Sequence, residues 1–206
     1  MKQENSKDIT SVKKIIALPL FAAFMAVGSY ISIPVGPVPI TLQNFFVILA
    51  GLVLGPASGA AAAGLFLFMG IIGLPVFSGG TGGIAQFAAP SAGYLVAFPV
   101  IAWLAGAVSK KTGSAARGIF SFFRELTAAL AAACLLYTIG TIWLKARLDL
   151  DWPKAIALGI LPFIPGDLIK CLAAAILAPR LRAIFRAEGL AGPGSLEAES
   201  QNNQLG

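Results

Sequence analysis

Two ionisable residues stand where such residues are rare. Asp167 and Lys170 lie in LPFIPGDLIK, residues 161–170, well inside an apolar run over 155–178. A charged side chain at membrane depth costs at least a few kcal/mol unless something satisfies it, and by default it marks a functional site. A spacing of three puts both on one helix face, within reach of each other and of a shared ligand. Pro162, Pro165 and Gly166 interrupt regular helix just before them, so a new helical segment is expected to begin near Gly166. A half-helix N-terminus at this depth offers free N–H groups and a positive dipole end, both suited to a carboxylate. Lys170 adds a point charge for the same purpose. Ionised Asp167 only accepts, and suits the N–H donors of a neutral polar head group. The competing reading is a structural pair in which the two charges neutralise each other, and the two readings are compatible.

A second polar cluster, Thr41, Gln43 and Asn44, sits in PVPITLQNFF at the mouth of another apolar run. These are hydrogen-bonding groups beside two phenylalanines; ordinary interfacial polarity, with Thr41 as a helix N-cap, explains them equally well. The glycine-rich SGGTGG at residues 78–83, which holds Thr81 and Gly82, can bring backbone N–H groups close to a ligand. No GxxxxGK[ST] pattern accompanies it, so a lid is expected rather than a phosphate cradle. Tyr94, after Ala92 and Gly93, offers a ring face or a hydroxyl, and also suits an interfacial aromatic belt.

The chain contains no histidine. That removes histidine general acid–base chemistry, histidine-ligated metals and the Ser-His-Asp triad. An intramembrane enzyme using Asp167 beside Lys170 would be physically reasonable. The sequence, however, offers no second aspartate at membrane depth, no metal-ligand set and no nucleophile with an adjacent base. A non-enzymatic, cofactor-free protein is expected. Cys134 and Cys171 lie in apolar stretches without metal-type spacing and are read as buried thiols.

The elements that must position these residues follow from composition. Of 206 residues, 57% are hydrophobic and 12% charged, and the mean hydropathy is +0.84. A soluble domain is closer to about 25% charged, so lipid is the solvent this surface fits. Apolar runs fall at 12–33, 41–55, 57–74, 91–108, 119–144 and 155–178. The expected fold is all-α: one integral membrane bundle of six transmembrane helices over residues 1–186. It would carry a polar N-terminal tail (1–11) and a disordered cytoplasmic C-terminal tail (187–206). The first run continues past Ala26 and Gly28 to Ile33, which argues against a cleaved leader. The connectors at 34–40 and 75–90 carry no charge and are rich in Gly and Pro.

The net charge of +6 does not point to nucleic acid, because the basic residues edge the apolar runs. With an inside N-terminus, Lys2, Lys7, Lys13, Lys14, Lys110, Lys111, Arg117, Arg124, Arg180, Arg182 and Arg186 fall on the cytoplasmic side. Only Lys145, Arg147 and Lys154 fall opposite. Both termini are therefore expected in the cytoplasm, and the two uncharged connectors face outward as candidate gates. In the first run Ala22 and Ala26 form a small-xxx-small pair of the kind found on helix-contact faces.

The order of motifs is PVGPVPITLQN, GLVLGP, GLPVFSGGTGG, PSAGYL, then Tyr137–Gly140–Trp143, then PFIPGDLIK. It resembles the BioY family, the biotin-specific substrate-binding (S) components of energy-coupling factor (ECF) transporters, over about residues 15–180. The resemblance implies a six-helix bundle in the cell membrane that binds biotin near its outer face under the first and third loops. Asp167 and the Thr41/Gln43 region would meet the ureido end, Lys170 the valerate carboxylate, and aromatic residues the bicyclic ring. The partners implied are a transmembrane coupling subunit and two ATPase subunits, with Ala22 and Ala26 on the docking face. Another small carboxylated vitamin or precursor is the alternative ligand. Three positions depart from similar proteins. Leu95 follows Tyr94 where some carry arginine, Thr81 stands where some carry asparagine, and Ala88-Ala89 replaces a commoner Leu-Gly.

Overall fold

The computed structural model describes residues 2–111 and 119–187, with side chains described over 16–109 and 119–185. Seven α-helices follow in chain order: α1 Lys2–Tyr30, α2 Gln43–Leu54, α3 Pro56–Ile71, α4 Ala92–Lys111, α5 Ile119–Leu148, α6 Trp152–Gly159 and α7 Ile164–Ala187. Backbone helix begins at Lys2, within the segment expected as a polar tail. Arg117 and residues 188–206 of the expected C-terminal tail lie outside the described residues.

Each apolar run of the sequence becomes a helix, except the last, which becomes two. Helices α6 and α7 meet at a break bent by 49°. Pro162 lies in that break, and Pro165 is accommodated in the first turn of α7, where a missing N–H removes no intrahelical bond. Only α4 (Ala92–Ser109) and α5 are by themselves long and apolar enough to cross a bilayer among the described residues, and the bent pair makes a third candidate. Helix α2, at 12 residues, is about 18 Å long, short of a hydrocarbon core of about 30 Å.

Small residues sit at many of the helix contacts, among larger buried side chains such as Phe21, Phe66 and Ile101. Ala102 and Ala105 of α4, Ala128, Ala129 and Ala132 of α5, and Ala174 and Ala178 of α7 are all fully buried. Small side chains let backbones approach, which is how helices associate where lipid supplies no hydrophobic drive. The approach is closest at Gly51 of α2, where a Cβ would lie 2.1 Å from the Ala102 carbonyl oxygen. Outward positions are apolar instead: Phe68, Trp103, Ile142 and Ile169 are all more than half exposed. Cys171 is buried as expected, whereas Cys134 is exposed on α5. Its apolar surroundings in sequence are those of an outward face.

Two connectors cover one end of the bundle. The first forms a two-stranded antiparallel hairpin, β1 Ser32–Ile33 with β2 Ile40–Thr41. The other carries a short 3-10 helix, Ile84–Ala88, and is tied down on both sides. Tyr30 donates to the Pro75 carbonyl, Trp143 to that of Ala89 and Arg147 to that of Ala88.

The opposite end is held by a carboxylate that the sequence reading did not single out. Glu125 of α5 is fully buried. It accepts from Ser109 of α4 at 2.8 Å, from Arg124 at 2.7 Å and from Arg182 of α7 at 3.1 Å. Arg182 also donates to the Leu52 carbonyl of α2 at 2.6 Å. Four helices thus share one ionic knot. Removing one partner of a buried ion pair strands the other charge, so Glu125→Leu should cost about 3 kcal/mol. Thermal unfolding of the detergent-solubilised protein checks this: a clearly lowered melting temperature is expected, and an unchanged one contradicts the role of Glu125.

Candidate functional site

The break before α7 sets the chemistry. The Asp167 amide donates to the Phe163 carbonyl at 2.8 Å as the helix ladder begins, so the Asp167 side chain stands in the first turn of α7. A carboxylate there is stabilised by the positive end of the helix dipole. The dipole that was expected to face a bound carboxylate faces this one.

Asp167 and Lys170 form the expected pair, with Nζ 2.7 Å from Oδ1 and side-chain exposures of 11% for Lys170 and 6% for Asp167. Three further groups complete it. Lys170 donates to Asn44 Oδ1 at 3.0 Å and to the Thr41 carbonyl at 2.6 Å. Asp167 Oδ2 accepts from Asn44 Nδ2 at 2.7 Å and from the Tyr137 hydroxyl at 2.8 Å. An ammonium has three donors, and all three are engaged; the carboxylate keeps acceptor capacity on Oδ1.

Beside this cluster lies a cavity of about 230 Å³ at the end of the bundle covered by the connectors. Thr41, Gln43, Asn44, Thr81, Tyr94, Asp167 and Lys170, all expected at a site, line it together. Gly82 is not among the lining residues. A Cβ there would lie 2.3 Å from the Leu74 carbonyl oxygen, so Gly82 lets the loop fold back on itself. Thr41 is not an N-cap, a position held by Leu42; its hydroxyl donates to Gln43 Oε1 at 3.2 Å. Tyr94 presents its ring, because its hydroxyl donates to the Gly159 carbonyl at 2.8 Å. Its ring also lies 6.2 Å from that of Phe163.

One lining group is unsatisfied. Gln43 is 3% exposed, and its Nε2 has no hydrogen-bond partner. A buried donor without an acceptor costs about 1–3 kcal/mol. A ligand acceptor in the cavity would offset that cost.

Tyr137 is the cavity residue that residue-by-residue reading missed. It was visible only as the first member of Tyr137–Gly140–Trp143, and the structure explains all three. Tyr137 holds Asp167; a Cβ at Gly140 would lie 2.3 Å from the Tyr94 ring; and Trp143 packs on Gly93, where a Cβ would lie 2.2 Å from it. Among the departures, Leu95 is a buried apolar wall of the cavity. The Thr81 hydroxyl donates within its own loop to the Ser78 carbonyl at 3.0 Å. Ala88 and Ala89 act through their carbonyls, which leaves their side-chain identity without explanation.

The docking pair separates. Ala22 is fully buried in the chain's own core, and Ala26 is half-buried. The outward face of α1 is instead Leu20, Ala23, Phe24 and Val27.

An apolar exterior around an α-helical bundle, with a polar cavity at one end, defines a membrane-embedded small-molecule-binding protein. Its sequence matches the BioY family over residues 1–187, and the chain belongs to that family. It is 42% identical over 170 residues to a probable biotin transporter BioY of Pyrococcus horikoshii, covering 82% of this chain and 96% of that protein. It is 37% identical over 173 residues to a biotin transporter BioY of Thermotoga maritima, covering 84% and 98%. Among solved structures, the S-component for biotin from an ECF-type ABC transporter superposes with a TM-score of 0.77 at 34% identity, covering 84% of this chain and 92% of that one.

The ion pair makes a prediction of its own. Lys170→Met or Asp167→Leu alone should each destabilise the protein by about 3 kcal/mol, whereas the double substitution should cost less than either. Thermal unfolding of the three variants in detergent distinguishes this from additive losses, which would mean that the two charges are independently satisfied.

Proposed function

We propose that this chain is the biotin-capturing S component of an ECF-type transporter, a transport subunit and not an enzyme. The observation that carries the reading is a cavity lined both by Gln43, whose buried Nε2 is unpartnered, and by the Asp167 carboxylate with acceptor capacity left. A donor and an acceptor in one cavity match a neutral group that has both C=O and N–H, as a cyclic urea has. Phe77, Phe98 and the Tyr94 ring supply the apolar wall that a bicyclic body needs. The names of the relatives favour biotin over another carboxylated vitamin.

In this proposal the cluster of Thr41, Gln43, Asn44, Asp167 and Lys170 holds the polar head, with Thr81 in the covering loop. The protein spans the cytoplasmic membrane six times, α6 and α7 making one broken span. Both termini are inside, as the distribution of Lys and Arg supports. It works with a transmembrane coupling subunit and two ATPase subunits. The sequence has no nucleotide-binding motif of its own, in keeping with ATP hydrolysis by partners.

Equilibrium binding of biotin to the purified, detergent-solubilised protein tests this. One biotin per chain is expected, and Gln43→Leu should weaken it by about tenfold. Cys134→Ser, on the outer face, should leave affinity unchanged. Absence of biotin binding by the wild-type protein would end the proposal.

A further inference from the structure

The one cation that lines the cavity is accounted for, and that bears on which forms of the ligand the site accepts. Among the described residues lining the cavity, Lys170 is the one cation and Asp167 the one anion. They are bonded to each other, and the remaining two ammonium hydrogens go to Asn44 Oδ1 and the Thr41 carbonyl. The positive end of α7 is likewise matched by the Asp167 carboxylate. Three other basic residues near this end of the bundle lie outside the lining: Arg147 is held on the Ala88 carbonyl, Lys145 rests over the Trp152 ring, and Lys154 is exposed on α6.

The remaining polar lining is neutral and includes Gln43, Ser78, Thr81, Gln86 and Ser91. A buried carboxylate without its own cation is costly. An amide or ester of the same shape carries no such cost, and neutral donors serve either. Ser78, Thr81 and Gln86 belong to the covering loop and are half-buried, so a tail directed past them reaches water, where its charge is hydrated.

We infer that the site reads its ligand through neutral hydrogen bonds and apolar contact, and that the acyl tail need not be charged. The substrate class then widens from free biotin to uncharged conjugates at the tail, such as the primary amide. This rests on biotin being the ligand, as proposed above. Lys170 is a positioning residue in this account, acting through Asp167 and Asn44.

Displacement of radiolabelled biotin from the detergent-solubilised protein by biotinamide tests the inference. Loss of a charge-assisted hydrogen bond to the tail would weaken the amide by at least about tenfold. The expected result is an affinity for biotinamide within that range of biotin. A weaker affinity overturns the inference while leaving biotin capture standing; if biotin itself does not bind, both fall. Lys170→Gln supplies a second readout. It should weaken biotin and biotinamide by the same factor, and selective loss of biotin would show that the ammonium contacts the tail.

Discussion

Everything at the cavity end of this molecule depends on satisfying one carboxylate and one lysine buried together where lipid surrounds the fold. Asp167 and Lys170 achieve this mutually, and with Asn44, Tyr137 and the Thr41 carbonyl. Those partners come from α2, from α5 and from the end of the first connector. Satisfying the charges therefore ties three elements to the first turn of α7. The same bonds that make burial affordable also place Gln43 and the cavity wall.

The architecture divides its polar groups between two ends. At one, the Asp167 cluster borders a cavity and leaves a donor unsatisfied. At the other, Glu125 is closed by Ser109, Arg124 and Arg182, which makes it a fastening for the helices. Between them alanine and glycine at the helix contacts alternate with fully buried larger side chains such as Phe21, Phe66, Ile48 and Leu144, and at Gly51 and Gly59 backbones come into close approach. The bundle is tightly packed, with the polar cavity at one end. Of the covering connectors, the segment that holds Thr81 is fixed at its flanks by Tyr30, Trp143 and Arg147.

Much of this was legible in the sequence, because lipid imposes strong rules. Long apolar runs had to become helices, and the prolines before Asp167 had to interrupt one; the break came at residues 160–163, a few positions before Gly166. Seven of the eight expected ligand-site residues line one cavity, since charged and amide groups inside apolar runs have few places to go. What stayed hidden depends on facing. Spacing could not tell that Ala22 points into the core, or that Cys134 points out of it. Glu125 escaped notice because it sits near the start of a run, where a charge passes for an edge residue. Tyr137 looked like one more aromatic, since only the fold brings it to Asp167, thirty residues away. The saturation of Lys170 was invisible for the same reason: two of its three acceptors lie more than a hundred residues distant.

The central claim is that the ion pair is a fixed, self-satisfied unit and that the neutral Gln43 donor beside it does the reading. A structure of the protein with biotin bound tests it most directly. The account predicts that Lys170 Nζ stays within hydrogen-bond distance of Asp167 Oδ1, and that Gln43 Nε2 donates to the ligand. Lys170 drawn away from Asp167 onto the ligand's carboxylate, with Gln43 still unpartnered, would contradict it.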